Sequence, residues 1–279
     1  MHVKRLFRFR LRTLLVVVTA LSVWLGFHVR ATRLQKEAVQ AVQNYGGWVR
    51  YDYQFPSGVF SHSDFDKKAQ SGIPIWILER AGVDFFHSVV QVNLNYTNDG
   101  GGRQENHNAS DDALQHLQGF PNLRILLLAD RQATDSSMKH LARLKKLERL
   151  YMWDVSEVGD AGVAHLSDLL ELRYIHLTTS RITDLSLRVF AELPKLEGLC
   201  LQYNHLSDEG LILLAESRKL EELWVCGEND RENEITDAGL RSLDKLTNLT
   251  EFGVQHTHVT ADGMEAFLQA HPGCRIIHQ

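Results

Sequence analysis

Leu196-Glu197-Gly198-Leu199-Cys200-Leu201-Gln202-Tyr203-Asn204-His205-Leu206-Ser207-Asp208-Glu209-Gly210-Leu211-Ile212-Leu213-Leu214 contains one strand and one helix. Strand alternation turns Leu196, Leu199 and Leu201 inward and Gly198, Cys200 and Gln202 outward. Ser207 has a hydroxyl suited to accept a free amide of the first helical turn. Asp208 follows it, where the helix dipole favours negative charge.

The Leu-x-x-Leu-x-Leu pattern returns from Val89, Leu123, Leu147, Leu172, Leu196, Leu220 and Leu249, with a half-copy at Cys274, in steps of 34, 24, 25, 24, 24, 29 and 25 residues. A stride in the twenties is the mark of a stacked solenoid. The helical half repeats as faithfully. The cap is Ser110, Thr134, Gly159, Thr183, Ser207, Thr236 and Thr260, and the next residue is Asp in every copy except Ala261. The third position after the cap is small throughout: Ala113, Ser137, Gly162, Ser186, Gly210, Gly239 and Gly263. A small residue there lets neighbouring turns approach closely. No single unit can bury its apolar side, so stacking is obligatory.

Leu-x-x-Leu-x-Leu followed by Ile235-Thr236-Asp237-Ala238-Gly239-Leu240 resembles the leucine-rich repeat family, in its ribonuclease-inhibitor-like and cysteine-containing style. The resemblance covers residues 89–279. It implies an α/β solenoid: a horseshoe with a parallel sheet lining the concave face, helices outside, and a role in protein recognition. The buried Asn that the family places after the strand stands only at Asn204, with Arg131, Val155, Ser180, Glu228 and Thr257 in the other copies. An asparagine ladder is therefore expected to be mostly absent.

Residues 1–33 differ in kind. Lys4, Arg5, Arg8, Arg10 and Arg12 precede an apolar run from Thr13 to Val29, and Arg30 and Arg33 follow. The run gives roughly 26 Å of helix, at the short end for a membrane span. A cleaved signal peptide and a buried core helix are the alternatives, but Phe27-His28-Val29-Arg30-Ala31 offers no small-residue cleavage site. The basic residues before the run place the N-terminus in the cytoplasm and the repeats on the extracytoplasmic side. The expected organisation is a basic tail and single transmembrane anchor over 1–33, a small α+β cap over 34–88, seven repeats over 89–272 and a closing strand over 273–279. In the cap, Leu34–Tyr45 reads as a helix ended by Gly46-Gly47, and Trp48–Tyr53 alternates like a strand. Gly46-Gly47-Trp48-Val49-Arg50-Tyr51-Asp52-Tyr53 and Asp84-Phe85-Phe86, ahead of the repeats, resemble anchored bacterial leucine-rich repeat proteins.

Of 30 basic residues, seven lie in the first 33 positions, where there are no acidic ones; this leaves 23 basic against 35 acidic, or −12, for the remainder. Such a charge argues against nucleic acid, which needs a basic footprint. No nucleophile–base pattern or phosphate-cradling glycine loop stands out, so neither catalysis nor a cofactor is expected. His116, His140 and His165 share one repeat slot without the further ligands a metal site needs. Cys200 and Cys226 are out of step on adjacent strands, beyond disulfide reach.

The outward strand positions are where function is expected. Ile125, Leu127, Tyr151, Trp153, Tyr174 and His176 form an apolar cluster over three successive strands, joined by Gln202 and Trp224. Inward packing does not demand aromatics there; Tyr and Trp are favoured binding anchors. The plainer alternative is that aromatics pair well across strands. Two insertions, Thr97–Asn108 with Arg103 and Gly227–Glu234 with Glu228 and Asp230, are expected to project from the same rim as binding loops. The leading expectation is a non-catalytic protein- or peptide-binding module at a membrane surface. A glycan-binding protein of the envelope is the alternative, with Tyr151, Trp153 and Trp224 stacking on sugars. Substrate receptors of ubiquitin ligases carry similar repeats behind an F-box; here an anchor and a cap occupy that place, so that likeness implies fold only.

Overall fold

The structure, a computed structural model, describes residues 11–57, 65–94, 111–129, 133–227 and 233–278. Its elements run α1 (Leu11–Asn44), β1 (Trp48–Tyr51), α2 (Ile75–Ala81), β2 (Val89–Asn93), α3 (Asp111–His116), β3 (Ile125–Ala129), α4 (Asp135–Met138), β4 (Arg149–Trp153), α5 (Asp160–Ala164) and β5 (Tyr174–Leu177). They continue α6 (Asp184–Ala191), β6 (Gly198–Cys200), α7 (Asp208–Leu214), β7 (Glu222–Trp224), α8 (Asp237–Ser242), β8 (Glu251–Gly253), α9 (Ala261–Ala270) and β9 (Arg275–Ile277). Among the described residues the strands form one nine-stranded sheet in strict sequence order. From β2 to β9 every pair is parallel; only β1 runs antiparallel, beside β2.

Each unit contributes the same buried stripe. Leu147, Leu150 and Met152 from one strand meet Leu172, Ile175 and Leu177 from the next, and all are buried. The helix anchors Met138 and Leu141, Val163 and Leu166, Leu187 and Phe190, and Leu211 and Leu214 close over them in one continuous core.

The aspartate after each cap links one repeat to the next. Thr183 donates its backbone N–H to Asp160 Oδ1 (3.0 Å) and its hydroxyl to Oδ2 (2.8 Å). Ser207 does the same to Asp184 (2.9 and 2.6 Å), Thr236 to Asp208 (2.8 and 2.6 Å) and Thr260 to Asp237 (2.8 and 2.7 Å). This pairing explains the small third position. A Cβ on Gly210 would stand 2.1 Å from Asp184 Oδ1, and one on Gly263 2.0 Å from Asp237 Oδ1. Where Ser186 replaces glycine, its hydroxyl donates to Asp160. The close approach is thus between a helix and the previous repeat's carboxylate. Ser207 departs from its expected capping role: its one hydroxyl proton has the Asp184 and Glu209 carboxylates as alternative acceptors, and the hydroxyl accepts no amide of its own helix.

Asn204 is fully buried, donating to the carbonyls of Leu177 and Gln202 and accepting from Ser180 N–H and Oγ. Asn233 has the same role in the next repeat, donating to Leu201 and Val225 carbonyls and accepting the N–H of Leu206. The insertion pushes this asparagine along the chain, so the slot assigned to Glu228 is filled by Asn233, and the ladder has two adjacent rungs. Buried carbonyls at the strand ends require donors whatever the length of the loop that supplies them.

The apolar run and the expected cap helix are one uninterrupted helix. In α1 the residues Thr13 to Val29 are largely exposed, whereas Ala38 and Val42 join the core and Gln35 is buried against the first repeat. Among the described residues this is the one helix long and apolar enough to cross a membrane.

Candidate functional site

Lateral register makes columns of the outward side chains. Leu127 pairs with Tyr151, Ala129 with Trp153, Tyr151 with His176, His176 with Cys200 and Cys200 with Trp224. The rings of Tyr151 and Trp153 stack at 5.8 Å and 10°, with His176 tilted against Trp153 at 5.3 Å. The Tyr174 ring lies over Gly198 of the next strand and the Trp224 ring over Gly253. A Cβ on Gly198 would sit 2.4 Å from the Tyr174 ring, and one on Gly253 2.3 Å from that of Trp224. Glycine in the next strand is what leaves room for each ring to lie over.

These side chains line two adjoining hollows. One, of about 400 Å³, is bounded by Arg149, Tyr151, Tyr174, His176, Gln202, Glu222 and Trp224. The other, of about 350 Å³, is bounded by Trp48, Arg50, Leu127, Arg149, Tyr151 and Trp153. Arg149 and Tyr151 form the ridge between them, and the Arg149 guanidinium sits 3.9 Å over the Tyr174 ring. All the sequence-derived strand candidates except Ile125 are half-buried; Ile125 is buried, though it still forms part of the floor of the second hollow.

Ile125 is the exception and a correction. It is only 5% exposed, because Phe55 and Phe65 of the segment after β1 fold over it together with Val90. That segment was expected to cover the open end of the stack; it also covers the beginning of the sheet face. Trp48 and Arg50, which reading the sequence missed as site residues, border the hollow for the same reason. Their strand alternation was visible, but the edge to which β1 adds was not. Arg149 and Glu222 were also missed; both stand in the column of Tyr174, one strand before it and two strands after it. Arg103, Glu228 and Asp230 lie outside the described residues. His116 and His165 are exposed at helix ends, away from the sheet face.

The face is electrically polar along the stack. Arg50 and Arg149 stand at its N-terminal half; Glu222 and Glu251 stand side by side in register on β7 and β8. Burial, reinforced by Glu251, raises the Glu222 carboxyl above its ordinary range. Burial lowers the His176 imidazole, keeping it neutral at neutral pH, and pushes the Cys200 thiol up to about 12. The Cys200 sulfur lies 3.8 Å from His176 Nε2, and burial favours the protonated thiol over the thiolate there. Cys200, Cys226 and Cys274 are free thiols.

Parallel strands in sequence order, helices on one side, and an open sheet face lined with aromatics define a leucine-rich repeat solenoid. A family profile described as a leucine-rich repeat matches residues 192–215, one full unit spanning β6 and α7. The profile match and the fold agree that the chain carries leucine-rich repeats. Among solved structures it is similar to an internalin C2 from Listeria monocytogenes, with TM-score 0.47 and 21% identity over 60% of this chain and 66% of that one. A second internalin of that organism, inlF, gives TM-score 0.43 and 23% identity over 59% of this chain and 49% of that one. The chain thus spans 66% of the length of the first of these structures and 49% of the second. No curated protein matches the sequence.

Proposed function

We propose that the protein is a non-catalytic recognition module, held at a membrane by residues 13–29, whose concave sheet face binds a protein or peptide ligand. The observation that carries this reading is the pair of joined hollows, lined by Tyr151, Trp153, Tyr174, Trp224 and Arg149 on one rigid sheet. Half-buried aromatic rings beside a guanidinium are the side chains that dominate protein interfaces. Leu127, His176 and Gln202 complete the contact surface, over a floor that includes Ile125. The basic residues before the apolar run support a cytoplasmic N-terminus with the repeats on the extracytoplasmic side.

Capture of binding proteins from the native envelope by the full chain tests this. Tyr151→Ala with Trp153→Ala removes the bound set, whereas Leu185→Ala with Ile212→Ala, exposed on the helix side, leaves it intact. A bound set unchanged by the first pair sinks the reading. A second reading, an envelope glycan as ligand, is favoured by one observation: the Trp224 ring lies over Gly253 and lines the first hollow, where an aromatic ring can stack on a sugar. A glycan array with no signal for the detergent-solubilised protein removes it.

A further inference from the structure

We propose that α2 and the Phe85-Phe86 turn form a second contact with the lipid surface, a foot beside the end of the apolar helix. This rests on the reading of residues 13–29 as a membrane span.

The segment leading from α2 into β2 is strapped along α1. Gln35 donates to Asp84 Oδ1 (2.9 Å) and to the His87 carbonyl (2.8 Å), and accepts the N–H of Val89 (3.2 Å). Seven residues nearer the N-terminus, His28 Nε2 donates to the Phe85 carbonyl (2.7 Å) and its ring meets the Phe85 ring edge-on at 4.6 Å. Seven residues are about 10 Å of helix axis. The strap therefore runs toward the apolar run and ends level with its last turn.

This segment shows large apolar side chains to solvent, together with the exposed Glu79 and Arg80 at the end of α2. Ile75 is 71% exposed and Trp76 63%, and Phe86, whose ring meets that of Phe85 at 5.0 Å, is exposed as well. Ile77 and Leu78, the next two residues of α2, are half-buried, so the helix does not lack an inner face of its own. On α1 itself Trp24 stacks on His28 at 5.2 Å and Phe27 is exposed. Exposed Arg30 and Arg33 follow at once. Trp and Phe at this level, with Arg just beyond, is the arrangement favoured at the boundary between hydrocarbon and headgroups. The other exposed large apolar residues of the repeats, Leu170, Leu185, Ile212 and Leu268, are scattered along the helix side. Ile75, Trp76 and Phe86 instead belong to the segment that Phe85 ties to the last turn of the apolar run, which argues for the same lipid.

The consequence is mechanical. A single helix is a pivot, whereas a helix and a foot fix a tilt. Because α1 passes unbroken into the first repeat, where Ala38 and Val42 enter the core, the orientation of the open sheet face relative to the membrane becomes fixed.

The test uses the full chain carrying Cys200→Ser, which leaves only the buried Cys226 and Cys274, in phosphatidylcholine–phosphatidylglycerol nanodiscs. Single spin labels are placed at Ile75→Cys, Val18→Cys and Leu185→Cys, and collision with oxygen is compared with collision with a water-soluble nickel chelate. The foot predicts a several-fold higher oxygen-to-nickel ratio at position 75 than at 185, approaching that at 18. A lipid-like value at 18 with a water-like value at 75 overturns the foot and leaves the span standing. A water-like value at 18 overturns the span, and the foot with it.

Discussion

Replacing Gly210 by alanine separates local propensity from the packing between repeats. Gly210 lies inside α7, where alanine is the better helix former by about 1 kcal/mol, so propensity alone predicts a stabilised protein. The new Cβ, however, would stand 2.1 Å from Asp184 Oδ1 and 2.7 Å from Leu187 Cδ1. Leucine can turn aside; the carboxylate can move only by giving up the Ser207 N–H (2.9 Å) and hydroxyl (2.6 Å). Hydrogen bonds to a charged group contribute about 1.5–3 kcal/mol each. The hydroxyl keeps Glu209 as a partner, so the stranded backbone N–H dominates the loss. The net result, after the gain of about 1 kcal/mol in helix propensity, is destabilisation by about 0.5–2 kcal/mol, or roughly 1–8 °C in Tm for a domain of this size. Thermal melts of the full chain in detergent, followed by circular dichroism, read it directly. In an Asp184→Ala background the obstacle is gone, and Gly210→Ala becomes neutral or stabilising. A rise in Tm on Gly210→Ala in the otherwise unaltered protein refutes the carboxylate account of the repeat.

Three further outcomes are expected. Asn233→Ala strands the Leu206 N–H and the Leu201 and Val225 carbonyls, and urea melts report a loss of about 1–3 kcal/mol for each buried group left unsatisfied. Thr179 holds φ at 55°, a left-handed conformation hostile to a β-branched side chain, so Thr179→Asn raises stability by about 1 kcal/mol in the same assay. The Asp237 carboxyl is held below its ordinary range by the N–H and hydroxyl of Thr260. Its contribution is therefore complete above the ordinary aspartate range and is lost as pH falls through the lower folded value. Melts of the wild type and Asp237→Asn differ near neutrality and converge in strong acid.

The sheet was legible because its signal is redundant. Leu147, Leu172, Leu196 and Leu220 each report the same inward position, and one irregular copy cannot hide the stride. The register of Tyr151, Trp153, Tyr174 and His176 followed from that stride alone, since parallel strands of equal repeats align like with like. What escaped were contacts between segments that do not repeat. Nothing in Phe55 or Phe65 announces that they cover Ile125, because that contact depends on which edge β1 joins. The function of Asp208 was half visible: its place in the first turn pointed to the helix dipole, but its partners Thr236 N–H and Oγ belong to the next repeat. Asn233 was hidden by the insertion before it, because a fixed-offset reading assigns its role to Glu228.

The central claim is that ligand meets the open sheet face rather than the helix side. A photo-crosslinking residue at Gln202, between the hollow's aromatic rings, can be compared in the native membrane with one at Leu185 on the exposed outer helix. The account predicts a discrete adduct from position 202, abolished by Trp224→Ala, and none from position 185. An adduct from 185 alone, or one from 202 that survives Trp224→Ala undiminished, contradicts it.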